Sequence, residues 1–135
     1  MKLKFLYFPF LVSLIATLGS LFFSVVMNLP PCNLCWFQRV FMYPLIYTLS
    51  VAILTQGQHK ELYSLGLAVM GLVVSFYHNL IYYGIITEPI IPCTSGISCS
   101  AKQIEWLGFV SIPLLSLIAF VLIVISLTRS LRSHQ

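Results

Sequence analysis

Charge is what this sequence has least of. Only 7% of its 135 residues are charged, against 59% hydrophobic. Soluble domains carry roughly 25% charged residues, so a chain this apolar cannot cover a water-facing surface and lipid is its expected solvent. Acids are the scarcer sign: Glu61, Glu88 and Glu105 are all there are. The bases Lys2, Lys4, Arg39, Lys60, Lys102, Arg129 and Arg132 leave a net charge of +4, but they form no patch and sit between long apolar runs. That scatter argues against a nucleic-acid partner. No linker, low-complexity segment or domain boundary is visible, and residues 1–135 are expected to form a single domain.

What the chain has instead is long uncharged runs: Phe5 to Gln38, Val40 to His59, Leu62 to Thr87, and Trp106 to Thr128. A membrane helix needs about 20 mostly apolar residues. The first run is too long for one span and breaks at Asn28-Leu29-Pro30-Pro31, where paired prolines remove backbone donors and disfavour helix. The expected fold is an all-α membrane protein, a four-transmembrane-helix bundle with helices near 5–27, 35–54, 62–83 and 107–128. Four spans put Lys2, Lys4, Lys60, Arg129 and Arg132 on one side, and leave Lys102 and Arg39 at the other. The excess marks the first side as cytoplasmic. Both termini are then inside, and the 28–36 and 84–106 loops are extracytoplasmic. The first apolar run exceeds the 7–15 residues of a signal-peptide core, so helix 1 is expected to stay uncleaved.

No cysteine lies inside a span or on the basic side. Cys32 and Cys35 fall at the first outer loop, Cys93 and Cys99 in the second. Cysteines used as small core hydrophobes would scatter through the helices; these are confined to the side where disulfides persist. Three readings remain open at this point. Structural bridges would clip short loops such as 93–99. A four-cysteine zinc site suits Cys-x-x-Cys but not its Cys-x5-Cys companion. Redox chemistry is favoured by Pro31-Cys32-Asn33-Leu34-Cys35-Trp36, whose two-residue spacer allows a tight bridge at the start of helix 2. There the unpaired N–H groups and the helix dipole favour a thiolate.

Arg39 lies four residues after Cys35. If helix 2 has begun by Cys35, the two share a face one turn apart, and the guanidinium favours negative charge on the sulfur or on a bound ligand. The competing account has Arg39 snorkel to lipid headgroups. Two strips of small residues, Ser13, Thr17, Ser20 and Ser24 on helix 1 and Ser64, Ala68, Gly71 and Ser75 on helix 3, suggest close helix packing rather than chemistry. The 100–107 segment is either a short amphipathic surface helix, with Ile104 and Leu107 toward lipid, or plain loop.

With its CNLCWFQR at the start of helix 2, PCTSGISC before helix 4, SFYHNLIYYG near the outer end of helix 3 and CSAKQIEWLGF leading into helix 4, the sequence resembles the DsbB family, most closely its short BdbC-type members. The resemblance covers nearly the whole chain. It implies a protein-disulfide oxidoreductase of the bacterial cytoplasmic (inner) membrane, using a quinone (ubiquinone or menaquinone) as electron acceptor and no metal. Its implied partner is a thioredoxin-fold thiol oxidase of the DsbA or BdbD kind. Cys32, Cys35, Cys93 and Cys99 become the catalytic residues. The partner's thiolate attacks the Cys93–Cys99 bridge, and Cys99 passes electrons to Cys32–Cys35 through a transient Cys32–Cys99 link. Cys35, beside Arg39, then reduces the quinone. The five-residue spacing between Cys93 and Cys99 is shorter than in longer family members, which leaves the order of attack within that pair open.

His78 becomes the second quinone-binding candidate, because an ionisable residue inside a span is a functional hypothesis by default; a helix-to-helix hydrogen bond is its structural alternative. Tyr77, Tyr82 and Tyr83 read as interface-belt aromatics. Two further readings stay in play: a vitamin K epoxide reductase-like thiol–quinone enzyme, whose reactive Cys-x-x-Cys sits on a later helix, and a non-catalytic membrane scaffold with structural disulfides.

Overall fold

The computed structural model describes residues 2–28, 33–55, 58–86, 105–106 and 110–133. Four helices dominate them: α1 (Lys2–Val25), α2 (Asn33–Thr55), α3 (Gln58–Tyr82) and α4 (Ile112–Arg132). The shortest has 21 residues, so each rises about 30 Å or more, and all four are long and apolar enough to cross a membrane. Each helix packs against the next, and α1 closes the ring against α4. The protein is a multi-pass, four-helix membrane bundle.

The solvent is legible in which residues are turned inward. Ser13, Ser64, Ser75 and Ser130 are fully buried. Leu11, Ile15, Leu18 and Phe22 on α1, and Val69, Val73 and Phe76 on α3, are exposed. Lipid tails are as apolar as leucine, so these outer faces cost nothing, while small hydroxyl residues let helices approach and find partners inside. The apolar core is Met42, Leu45, Leu49, Ala68, Phe120, Ile123 and Leu127. At Gly71 a Cβ would run into the Phe120 ring, so the absence of a side chain on α3 makes room for this ring of α4. Pro9 and Pro44 lie within α1 and α2, as membrane helices tolerate where neighbours meet the freed backbone groups.

Helix ends follow local chemistry. Asn28 takes the left-handed conformation (φ 51°) just beyond α1. At the end of α3, Gly84 is left-handed (φ 73°), with Ile85 N–H donating to Leu80 C=O at 3.0 Å and Gly84 N–H to Ile81 C=O at 3.0 Å. This is the Schellman cap, which consumes carbonyls the helix leaves unpaired. Helix 3 begins at Gln58 rather than 62, so Lys60 and Glu61 belong to it and not to a loop. Lys60 Nζ donates back to Thr55 Oγ1 at 3.0 Å, closing the turn between α2 and α3.

The segment before α4 departs from expectation. Helix 4 starts at Ile112, not 107, and β1 (Glu105–Trp106) pairs antiparallel with β2 (Val110–Ser111), Glu105 opposite Ser111 and Trp106 opposite Val110. No surface helix therefore reaches 105–106; residues 100–104 lie outside the described part. Pro113 explains the late start. A helix running from 107 would place its ring against the carbonyl four residues back, whereas a proline in the first turn is tolerated. Ser111 supplies the N-cap, its Oγ accepting from Leu114 N–H at 3.4 Å.

Candidate active site

Three of the four cysteines, Cys32, Cys93 and Cys99, lie outside the described residues. Cys35 lies within them. Because α2 begins at Asn33, Cys35 sits in its first turn and Arg39 one turn further along the same helix, which meets the condition for the two to share a face. Cys35 is half-buried and packs against Leu34 and Ile81, the latter from α3.

Cys35, Gln38 and Arg39 together form part of the wall of a cleft of about 430 Å³ between α1, α2 and α4. The rest of the lining is mostly apolar: Val12, Ile15 and Phe23 from α1, Met42 from α2, Leu115 and Phe120 from α4. Ligand sites commonly have this character, an apolar cleft of roughly 300–1,000 Å³ with a few placed polar groups.

Arg39 does not hang free at the membrane surface. Its Nε donates to Ser20 Oγ at 2.8 Å, and its NH2 donates to the Ser20 carbonyl at 2.9 Å and to Ser24 Oγ. The guanidinium carbon also lies 5.7 Å from the centroid of the Trp36 ring, one turn back on α2, within cation–π range. The cation is thus held between its own helix and α1. The helix 1 strip divides accordingly. Ser13 and Thr17 turn their hydroxyls onto α1 carbonyls and serve packing. Ser20 and Ser24 bind the arginine, which corrects the reading of the whole strip as packing. The α3 strip keeps that reading: Ser64 donates to Thr48 Oγ1, Ser75 pairs with Ser116 at 2.9 Å, and Ala68 and Gly71 lie in the core.

His78 is 1% exposed and is not among the residues that line the cleft. It stands one side chain behind: the Gln38 amide Nε2 donates to His78 Nδ1 at 3.0 Å, which makes Nδ1 the accepting ring nitrogen. The helix-to-helix bond foreseen as the alternative for His78 is therefore present, and its partner belongs to the cleft wall. Beside His78, Asn79 donates through Nδ2 to the carbonyls of Ser75 and of Pro113, tying α3 to the start of α4. Tyr77 and Tyr83 are exposed, as belt aromatics should be. Tyr82 turns inward, edge-on to Tyr83 at 5.5 Å, because it continues the buried face of Ser75 and Asn79 at helical spacing.

Gln38, Ser20 and Ser24 were not singled out as site residues from the sequence. A signal for the serines existed: a cation inside a span must find oxygen acceptors, and these are the two hydroxyls one turn apart nearest the C-terminal end of α1.

Residues 3–128 match the family model for "Disulfide bond formation protein DsbB". The chain is 44% identical over 124 residues to the Bacillus subtilis (strain 168) protein named "Disulfide bond formation protein C", covering 92% of this chain and 90% of that one. It is also 44% identical over 128 residues to a "Probable disulfide formation protein" of Metapseudomonas resinovorans, covering 94% and 89%. A "SPbeta prophage-derived disulfide bond formation protein B" of Bacillus subtilis (strain 168) is 36% identical over 115 residues, 84% of this chain and 76% of that one. No solved structure matches the chain. With a family match across nearly all of its length and four spanning helices, the chain belongs to the DsbB disulfide bond formation family of membrane protein-disulfide oxidoreductases.

Proposed function

We propose that this protein reoxidises a thioredoxin-fold thiol oxidase of the DsbA or BdbD kind and delivers the electrons to a membrane quinone, supporting disulfide formation in exported proteins. The observation that carries the reading is the shared cleft: a cysteine, Cys35, and a fixed cation, Arg39, in the wall of an apolar space within the bundle. Such a cleft fits a flat apolar molecule with polar oxygens. The quinone is the acceptor substrate.

The sequence of exchanges balances over two electrons and two protons. The partner's dithiol becomes a disulfide, and the quinone becomes a quinol. The partner's thiolate attacks Cys93 of a Cys93–Cys99 bridge. Cys99, released as a thiolate, attacks Cys32 of the Cys32–Cys35 bridge and frees Cys35. The partner's second thiol then resolves its link to Cys93. Cys93 then attacks Cys99 of the Cys32–Cys99 link, which restores Cys93–Cys99 and frees Cys32. Cys32 and Cys35 close to their bridge as two electrons and two protons pass to the acceptor, giving the quinol. Every step but the last is thiol–disulfide exchange, and reduction of the acceptor draws the sequence forward. Arg39 favours negative charge on the Cys35 sulfur and on the acceptor oxygen, where a fixed cation in low dielectric is worth far more than in water. His78 reaches the same wall through Gln38, which supports assigning it to this site. The excess of basic residues at the other end of the bundle supports an orientation with both termini in the cytoplasm and the cysteines outside the bacterial cytoplasmic membrane.

The test is anaerobic mixing of the purified protein with a reduced DsbA-like oxidase and a quinone, following quinone absorbance. One quinone should be reduced per partner disulfide formed. Partner oxidation that stops after the protein's own bridges are consumed, with quinone present, would remove quinone from the scheme.

A further inference from the structure

We infer that Ser20 and Ser24 of α1 are positioning residues for the electron-acceptor step: they hold the Arg39 guanidinium in the cleft wall with one edge left open to the acceptor. The inference rests on the quinone reading above and adds to it the means by which the cation is aimed.

Arg39 has five N–H donors in a rigid fork. Nε and both hydrogens of NH2 are directed to Ser20 Oγ, the Ser20 carbonyl and Ser24 Oγ. NH1 makes no hydrogen bond among the described residues. All three residues, Ser20, Ser24 and Arg39, line the same cleft as Cys35. The arrangement is specific to arginine. Two acceptors from Ser20, one side chain and one backbone, engage Nε and NH2 as a pair, and a lysine ammonium has no planar edge to offer them. The Trp36 ring lies near the same guanidinium from α2, so α1 and α2 confine it between them.

The serines contribute by removing freedom. An unclamped arginine spreads over many rotamers, and a cation displaced by about 1 Å from a developing charge can cost up to a hundredfold in rate. Clamped, it is preorganised for charge that appears only when electrons move. The serines touch neither sulfur nor acceptor in this scheme, so their effect must pass through Arg39.

That requirement sets the experiment, a double-mutant cycle on quinone kinetics in the full-length protein. A short-chain ubiquinone and a short-chain menaquinone serve as acceptors and a reduced DsbA-like oxidase as donor. The Ser20→Ala/Ser24→Ala protein should lose about tenfold in quinone kcat/KM. Arg39→Gln should lose about ten- to a hundredfold. Adding both serine changes to Arg39→Gln should cost little more, because the clamp then has nothing to aim. Ser24→Thr, which keeps the hydroxyl, should retain most of the activity of the unaltered protein. Equal losses from the serine changes in both backgrounds, or no loss in the Arg39 protein, would overturn the clamp. So would a Ser24→Thr protein as impaired as Ser24→Ala. Absence of quinone turnover in the unaltered protein is a separate result, and it would overturn the acceptor reading together with the inference built on it.

Discussion

The two ends of the bundle use the same kinds of residue to different effect. Where α3 begins and α4 finishes, Glu61 is 1% exposed and accepts from Ser130 Oγ at 2.9 Å, with Thr48 and Ser64 bonded nearby and Leu45, Leu49 and Leu127 filling the space. The carboxyl group there is enclosed by packing. Where α1 finishes and α2 begins, Arg39 is likewise met by serines, but it lines a cleft that side chains do not fill, and Cys35 lines it too. A buried polar contact in lipid is not by itself a sign of function. What distinguishes the cysteine end is polar groups held at the edge of unfilled apolar space.

Breaking the cysteine end at its sulfurs should have the largest effect. Cys32→Ser and Cys99→Ser should each reduce catalytic oxidation of the partner to background, measured as partner disulfide formed per minute with excess quinone. The Cys32→Ser protein keeps Cys35 in the cleft wall and should still interact with quinone. Normal turnover by either variant would mean that the bridges are structural, and the contrast between the two ends would lose its chemical content.

Much of this was legible in the sequence, for identifiable reasons. The four helices follow from uncharged runs interrupted by Pro30-Pro31, by His59-Lys60-Glu61 and by the polar stretch before α4, because lipid admits few alternatives to a helix. Placing Cys35 and Arg39 on one face needed only the helical repeat and a start at or before Cys35. The late start of α4 was missed because a single residue, Pro113, acts against an apolar pattern that continues through it, and the pairing of Glu105–Trp106 with Val110–Ser111 was missed with it. The Ser20 and Ser24 contacts were missed because one serine strip carries two roles, and only the position of α2 against α1 separates them. The inward turn of Tyr82 was hidden by weighing three tyrosines together instead of by helical phase.

The shape of the cleft offers a finer test. Gly71 leaves no room for a Cβ because the Phe120 ring occupies that space, and Phe120 also lines the cleft. Gly71→Ala should push the ring, at a cost of about 1–3 kcal/mol in stability. It should also lower quinone kcat/KM by up to about tenfold, an effect of about 1.4 kcal/mol. Gly66 lies on the same helix with nothing within 4 Å of a Cβ. Gly66→Ala should leave quinone kinetics unchanged and stabilise the helix by about 0.5–1 kcal/mol. Measuring thermal midpoints and quinone kinetics for both proteins separates a change in cleft shape from a general effect of alanine in α3. Indistinguishable quinone kinetics would mean that the acceptor does not reach Phe120.

The smallest effect is expected at the closed end, and it tests the comparison most directly. Ser130 is fully buried, and its hydroxyl donates to Glu61 Oε2. Ser130→Ala removes that donor while leaving the surrounding helix contacts in place. Side-chain hydrogen bonds between membrane helices contribute about 0.6 kcal/mol on average and at most about 1.7, because an unfolded chain in lipid finds other partners. The variant should lose stability in that range, read from unfolding in mixed detergent micelles, with quinone kcat and KM unchanged. Ser24→Ala likewise removes a bond between a serine hydroxyl and an ionisable side chain on a neighbouring helix, one in which the serine accepts instead of donating, and should change quinone kinetics. If both serines altered stability alone, the Arg39 contacts would be packing like those of Glu61. If Ser130→Ala changed quinone KM, the two ends would be coupled through α4, which carries both Ser130 and the cleft-lining Phe120, and the closed end could no longer be described as structure alone.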